Sequence, residues 1–153
     1  MSDWYNLFKF LHVMAAIVWV GGTITLVVLT GRLARERDGA VAGALSRHAA
    51  MMGPKIMGPS AFLTLAAGIA MVALMGWRMQ LWLAWGLVGV FGSMVLGAVF
   101  LRRAGMRLAA LSAASDPDPA GLRRARRHMA LLNALNIALL LSTVWAMVFK
   151  PTM

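Results

Sequence analysis

The chain has no cysteine, so it can form neither disulfide bonds nor thiolate–metal bonds. A cysteine-bound zinc site and a cysteine-bound iron–sulfur cluster are therefore excluded. Acidic residues are also scarce, since the 153 residues include only Asp3, Glu36, Asp38, Asp116 and Asp118. None of these acids lies in the long apolar runs, which leaves no carboxylate to relay protons or to bind a hard metal inside a membrane.

Charge is missing from three runs of more than twenty residues, Ile56–Trp77, Met79–Leu101 and Met129–Phe149, while a fourth, Phe10–Gly31, is interrupted only by His12. Each run can cross a bilayer, because about 20 helical residues span a hydrocarbon core of about 30 Å. A hydrophobic content of 61% agrees with this interpretation. We therefore predict an all-α integral membrane protein, a four-transmembrane-helix bundle that forms one membrane domain over residues 1–153. The predicted spans are about 10–31, 55–76, 79–101 and 128–149.

The distribution of basic residues predicts how the chain crosses the membrane. Of fifteen Lys and Arg residues, four lie between the first two spans and seven between the last two. Because cytoplasmic loops are rich in Lys and Arg, we expect loops 32–54 and 102–127 in the cytoplasm and both termini outside a bacterial-type inner (plasma) membrane. Arginines beside membrane spans usually set the orientation of the chain and attract anionic lipid headgroups. The net charge of +10 therefore does not predict a nucleic-acid partner.

Prolines mark the ends of several predicted helices. Pro54 and Pro59 are expected to bend the entry into the second span. The third span should continue as a helical extension into the cytoplasm to about Ala114, before Asp116–Pro119 stops it. Within that run, Asp118 suits an N-cap and Pro119 suits the first position of a short basic helix that leads into the fourth span.

Small residues predict where helices approach one another. Gly86, Gly89 and Gly92 recur every three residues on the third span, which favours helix–helix contact over the alternative, a flat ligand. On the first span, small and aromatic residues share one helix face with His12, so His12 is expected to point inward. That face contains His12, Ala15, Ala16, Trp19, Gly22 and Thr23.

The chemistry of His12 allows two interpretations. An imidazole inside a membrane can form a hydrogen bond with a backbone carbonyl or a polar side chain of a neighbouring helix. Neutral imidazole is also a common axial ligand of haem iron, and small apolar residues can leave room for the macrocycle. A sixth ligand could be water or one of the methionines Met71, Met75, Met79 and Met147.

Short motifs in all four spans resemble known membrane families. The segment KFLHVMAAIVWVGG, Lys9–Gly22, resembles the first span of HemJ-type protoporphyrinogen oxidases, of CopD-type copper-resistance domains and of their uncharacterised four-helix relatives. The segment IMGPSAFLTLAAGI, Ile56–Ile69, resembles the second span of the HemJ type. Further similarities are Gly76–Trp77 at the start of the third span, and Asn133 and Lys150–Pro151 in the fourth.

This resemblance implies a four-helix bundle, often oligomeric, that binds b-type haem through a first-span histidine, which corresponds to His12. It also implies protoporphyrinogen oxidation, but three polar positions of the HemJ type differ here. A lysine early in the third span is replaced by Leu81 or its apolar neighbours, a histidine by the stretch Trp85–Gly92, and an acid by Ala134. The uncharacterised relatives are therefore the nearer comparison.

Two functions of different classes follow. In the first, the protein binds haem b or another porphyrin in a redox or porphyrin-related role, with His12 as the metal ligand, Trp19 and Gly22 shaping the pocket, and a quinone or membrane protein as redox partner. In the second, the protein holds no cofactor and is an accessory or assembly subunit of a larger membrane complex. Copper handling and a HemJ-type oxidoreductase activity are further alternatives. In every case the lipid bilayer is a partner, and a homo-oligomer or a complex is expected.

Overall fold

The computed structural model describes residues 3–33, 51–76, 80–112 and 118–151. These ranges contain five α-helices and two π-helical turns, and no strand occurs in them. Contacts group the chain into two compact units, residues 1–80 and 81–153. The prediction of one domain over residues 1–153 stays a prediction. The helices are α1 (Asp3–Leu33), α2 (Gly58–Leu74), α3 (Leu81–Val95), α4 (Arg102–Ser112) and α5 (Pro119–Phe149), with π-helical turns at Gly53–Met57 and Leu96–Leu101.

Four helical stretches within the described ranges are long and apolar enough to cross a membrane. Only 11% to 28% of the residues in the most apolar window of each stretch are buried, so most of these apolar residues keep part of their surface exposed. Such a surface is stable in hydrocarbon and would be costly in water. The prediction of an all-α protein with four spans is thus confirmed. The stretches are Asp3–Arg32, Lys55–Leu74, Leu81–Ser112 and Pro119–Phe149.

The helices and the predicted spans differ at several ends. α1 begins at Asp3, before the predicted first span, and α5 begins at Pro119, the predicted first helical position, so the basic segment and the fourth span form one continuous helix. Charged residues can continue a helix beyond the hydrocarbon, where hydropathy no longer identifies it. α2 ends at Leu74 instead of 76, because Gly76 adopts a φ of +85° and turns the chain.

Two further predictions concern helix ends. Asp118 is confirmed as an N-cap, since its carboxylate accepts hydrogen bonds from the backbone N–H groups of Ala120 and Gly121 at 2.9 and 2.8 Å. The helical extension after the third span is confirmed as far as Ser112, whereas Ala114 lies outside the described residues.

The entry into the second span is irregular, as its prolines predict. Pro59 has no N–H to donate to the carbonyl of Lys55, and its ring crowds that carbonyl in a regular α-helix. The chain responds with the π-helical turn Gly53–Met57, in which the Gly58 N–H bonds to the Gly53 carbonyl five residues earlier. A widened turn keeps the backbone paired around a proline inside a membrane.

The first unit is an antiparallel pair formed by α1 and α2. The pairing runs in opposite directions, because His12 meets Thr64 and Gly68 of α2, while Gly22 further along α1 lies against Met57 just before α2. Small side chains bring the two helices close together. The buried residues of this pair are Ala15, Trp19, Ala61, Thr64 and Ala67.

The second unit pairs α3 with α5, also in opposite directions. The glycine face of α3 receives side chains from every fourth residue of α5: Gly86 faces Met147, Gly89 faces Thr143, and Gly92 faces Leu139. A row of side chains spaced by four thus fits a groove of glycines spaced by three. The prediction that this face serves helix–helix contact is confirmed.

Gly89 lies against a buried polar side chain, that of Thr143. A methyl group at Gly89 would overlap the hydroxyl of Thr143 and lie only 3.0 Å from its Cβ. Thr143 cannot easily turn away, because it is 7% exposed and its hydroxyl donates a 2.8 Å hydrogen bond to the Leu139 carbonyl.

We predict that Gly89→Ala lowers the free energy of unfolding in detergent by about 1–3 kcal/mol, the usual cost of overpacking. Gly97→Ala is the control, because an added methyl there meets nothing within 4 Å. Combining Gly89→Ala with Thr143→Ala should recover part of the loss. Equal stability of the Gly89→Ala and Gly97→Ala proteins in denaturant titrations would contradict the packing described.

Candidate functional site around His12

His12 joins the two helices of the first unit. Its Nδ1 lies 2.7 Å from the backbone carbonyl oxygen of Thr64 on α2. A carbonyl oxygen can only accept a hydrogen bond, so Nδ1 carries the proton in this contact. The inward orientation expected for His12 is thus observed, and its contact is the interhelical hydrogen bond that the first interpretation describes.

Gly68 makes this contact possible. In an α-helix the Thr64 carbonyl accepts the N–H of the residue four positions later, which is Gly68, and the second lone pair of the oxygen remains for His12. A Cβ at Gly68 would lie 3.2 Å from both Nδ1 and Cε1 of the imidazole. The bare backbone of Gly68 therefore admits the ring edge to the surface of α2.

The Thr64 side chain does not compete for His12. Its hydroxyl donates to the Ser60 carbonyl at 2.8 Å, and Thr64 is 4% exposed. The hydroxyl of Thr64 therefore already has a hydrogen-bond partner, and only the backbone carbonyl of Thr64 bonds to the imidazole. This geometry makes the position of the ring depend on the α2 backbone, which holds it more firmly than a mobile side chain would.

The hydrogen bond also determines which imidazole nitrogen keeps a lone pair. With the proton on Nδ1, the neutral ring carries its lone pair on Nε2. The two nitrogens point in diverging directions, so Nε2 does not face the Thr64 carbonyl. Within the described residues, His12 has a hydrogen bond only through Nδ1. Nε2 is thus the nitrogen that could coordinate a metal.

The two residues predicted to shape a cofactor pocket lie in different surroundings. Trp19 is buried, with 6% of its surface exposed. Gly22 lies under the thioether of Met57, which occupies the space that a side chain at position 22 would take. Gly22 therefore admits a methionine of the same unit, which is the simplest reason for a glycine at this position.

The candidate sixth ligands are dispersed. Met71 lies on α2 one turn beyond Gly68, and Met75, just after α2, is 63% exposed. Met147 in the second unit contacts Gly86. Met79 lies outside the described residues. Met71 is therefore the candidate nearest to His12 along α2.

Metal-ligating side chains do not form a cluster around His12 among the residues that the structure describes. Within the described part of the chain, no group of three or more His, Asp or Glu residues is placed to hold a metal ion.

The second unit contains a buried polar pair that the sequence analysis did not identify. The Ser93 hydroxyl donates a 2.6 Å hydrogen bond to Oδ1 of Asn136, and these residues are 2% and 4% exposed. The available signal was the seven-residue spacing from Asn136 to Thr143, which places both polar residues on one helix face. The resemblance pointed instead to Asn133, which is only half-buried.

Comparison with known families agrees with the membrane fold. A family model described as a predicted integral membrane protein, DUF2269, matches residues 6–151. The chain belongs to this DUF2269 family. No curated protein and no solved structure gives a significant match. The DUF2269 match covers all four spans, while the resemblance to HemJ-type and CopD-type domains stays a prediction.

The contact between His12 and Gly68 generates a testable prediction. A methyl at Gly68 should push the ring away and lengthen the bond from Nδ1 to the Thr64 carbonyl. We expect Gly68→Ala and His12→Ala each to lower the free energy of unfolding by about 1 kcal/mol, the scale of an interhelical hydrogen bond in membranes. The double variant should lose less than the sum, because both changes break the same bond.

Gly21→Ala is the matched control, since this α1 glycine has nothing within 4 Å of an added Cβ. Stabilities would be measured by denaturant titration in one detergent. If the losses from Gly68→Ala and His12→Ala simply add, the two residues do not share the interaction described here.

Proposed function

We propose that this protein binds a b-type haem within the membrane, with Nε2 of His12 as an axial ligand, and that it transfers electrons to or from a quinone or a membrane redox partner. The observation that carries the proposal is the 2.7 Å contact between Nδ1 and the Thr64 carbonyl. Metal-ligating histidines commonly donate their other ring N–H to a carbonyl or carboxylate, which fixes the tautomer and the orientation of the ring.

The surroundings of His12 are compatible with a flat apolar group. His12 and Ala16, one turn later, are both half-buried, and the side chain of Ala16 is a single methyl group. Val13 and Ile17 on the adjoining face are 46% and 60% exposed and provide apolar surface. Trp19 supports the same helix from its buried side. Gly22 lies about 15 Å from His12 along α1 and is covered by Met57, so it is not needed as a pocket wall.

Each residue has a distinct role in this proposal. The Thr64 carbonyl holds the proton on Nδ1, Gly68 lets the ring reach that carbonyl, and His12 presents Nε2. Bound haem would supply one-electron chemistry. Three polar groups of the HemJ-type enzymes are absent here, since apolar residues stand at Leu81, Trp85–Gly92 and Ala134. Electron transfer is therefore favoured over protoporphyrinogen oxidation.

A second candidate function is that of a cofactor-free accessory subunit. It is favoured by two contacts within the first unit that need no cofactor. The Nδ1 proton of His12 is bonded to the Thr64 carbonyl, and Met57 covers Gly22. Large apolar side chains on the outward surface, such as Phe62 at 66% exposed, would then face lipid or a larger membrane complex. In this case His12 only links α1 to α2.

Absorption spectroscopy separates the two functions. The protein would be purified in mild detergent from cells supplied with haem precursors, and spectra recorded in the oxidised and dithionite-reduced states. We expect a Soret band and reduced α and β bands with about one haem per chain, and loss of most of this haem in His12→Ala. His128→Ala is the control, because His128 is exposed on α5 and should leave the spectrum unchanged.

A colourless, folded wild-type protein would exclude the haem proposal and favour the accessory subunit. A full haem complement in His12→Ala would exclude His12 as the ligand. Because His12→Ala should remove only about 1 kcal/mol of stability, a folded variant without haem is an interpretable result.

A further inference from the structure

We propose that the N-terminal part of α5 binds the headgroup of an anionic phospholipid, and this inference does not depend on the proposed function. Ala120, Arg123, Arg124 and Arg127 line an open concavity of about 340 Å³ on the surface of the second unit. Positions 120, 123, 124 and 127 follow the three- and four-residue spacing of one helix face, so the three arginine side chains border the same concavity.

The positive charge of this face is almost uncompensated. Asp118 is the acid that the described residues place beside it, with Oδ2 3.9 Å from Nη2 of Arg124. Both of these side chains are exposed to solvent, at 81% for Arg124 and 58% for Asp118, which makes the ion pair weak. The Asp118 oxygens are already engaged by the N–H groups of Ala120 and Gly121. The arginines of this face therefore keep a net positive charge that attracts anions.

The neighbouring helix adds to the positive potential. α4 packs against α5, with Gly105 near the side chain of Met129, and it carries exposed Arg102, Arg103 and Arg107. These three arginines do not line the concavity. They raise the potential of the same end of the unit, while the concavity supplies the specific contacts.

Exposed leucines continue the arginine face toward the membrane interior. Leu131 and Leu135 follow Arg127 at intervals of four residues and are 60% and 56% exposed. At a rise of about 1.5 Å per residue, Leu131 begins about 6 Å beyond Arg127. Cationic groups followed by apolar surface match a phospholipid, whose phosphate lies above its acyl chains. A soluble phosphate or a nucleic acid has no acyl chains that could contact Leu131 and Leu135.

Arginine is well suited to this ligand. Its planar guanidinium can donate two parallel hydrogen bonds to a phosphate, whereas the ammonium of lysine is a point charge. Three neighbouring guanidinium groups can surround one phosphodiester. We therefore expect the site to prefer lipids with net negative charge and to weaken as salt screens the exposed charges.

Native mass spectrometry of the full chain in detergent can test the site. Dioleoyl phosphatidylglycerol would be titrated, with dioleoyl phosphatidylcholine as the uncharged comparison and inorganic phosphate as the headgroup chemistry alone. The test protein carries Arg123→Gln, Arg124→Gln and Arg127→Gln. The matched control carries Arg102→Gln, Arg103→Gln and Arg107→Gln, which removes the same charge from α4. We expect the test protein to bind phosphatidylglycerol at least about tenfold more weakly than the wild type, and the control to lose much less.

If both triple variants bind phosphatidylglycerol equally weakly, the proposal is overturned. The lipid would then be attracted by the overall positive charge and not by a site on α5. Equal binding of phosphatidylcholine, or displacement of phosphatidylglycerol by millimolar phosphate, would also overturn a phospholipid site. If the test protein does not fold, Arg127→Gln against Arg126→Gln provides the same comparison, since Arg126 is outside the concavity.

Discussion

The cost of leaving hydrogen-bonding groups unpaired in hydrocarbon governs this structure. Each such group costs several kcal/mol, so the backbone must be helical and polar side chains must find partners within the protein. Thr23, Thr64 and Thr143 donate to carbonyls four residues earlier, and Ser93 pairs with Asn136. Among the described residues, no buried side-chain nitrogen or oxygen lacks a partner. His12 follows the same rule through its Nδ1.

Glycine provides the space that these pairings need. Gly68 lets the imidazole of His12 reach a backbone carbonyl, and Gly89 lets α3 approach the hydroxyl of Thr143. In both units a side chain on one helix enters a gap on its antiparallel neighbour. The hydrogen bond that links α1 to α2 also leaves Nε2 with its lone pair. The contact therefore links the two helices of the unit, and under the proposed function it also orients the metal ligand.

Local rules explain which features could be predicted. The four apolar helices, the Asp118 cap and the glycine contact face depend on residues close together in sequence, and the structure confirms them. α1 and α5 both extend beyond the predicted spans at their N-terminal ends, because hydropathy detects lipid-facing residues and not the charged turns that continue a helix. Asn136 was missed because an uncharged amide hardly interrupts an apolar run.

The order of residues alone identifies the four membrane-crossing runs, the imidazole of His12 as the ionisable side chain within the first of them, and the arginines that gather beside the spans. The packing of the helices was needed to show that His12 donates to the Thr64 carbonyl, that Met57 covers Gly22, and that Leu139, Thr143 and Met147 fill the glycine groove. These pairings join residues far apart in the chain. They depend on the register between antiparallel helices, which is set by the fit of their surfaces and not by any local pattern.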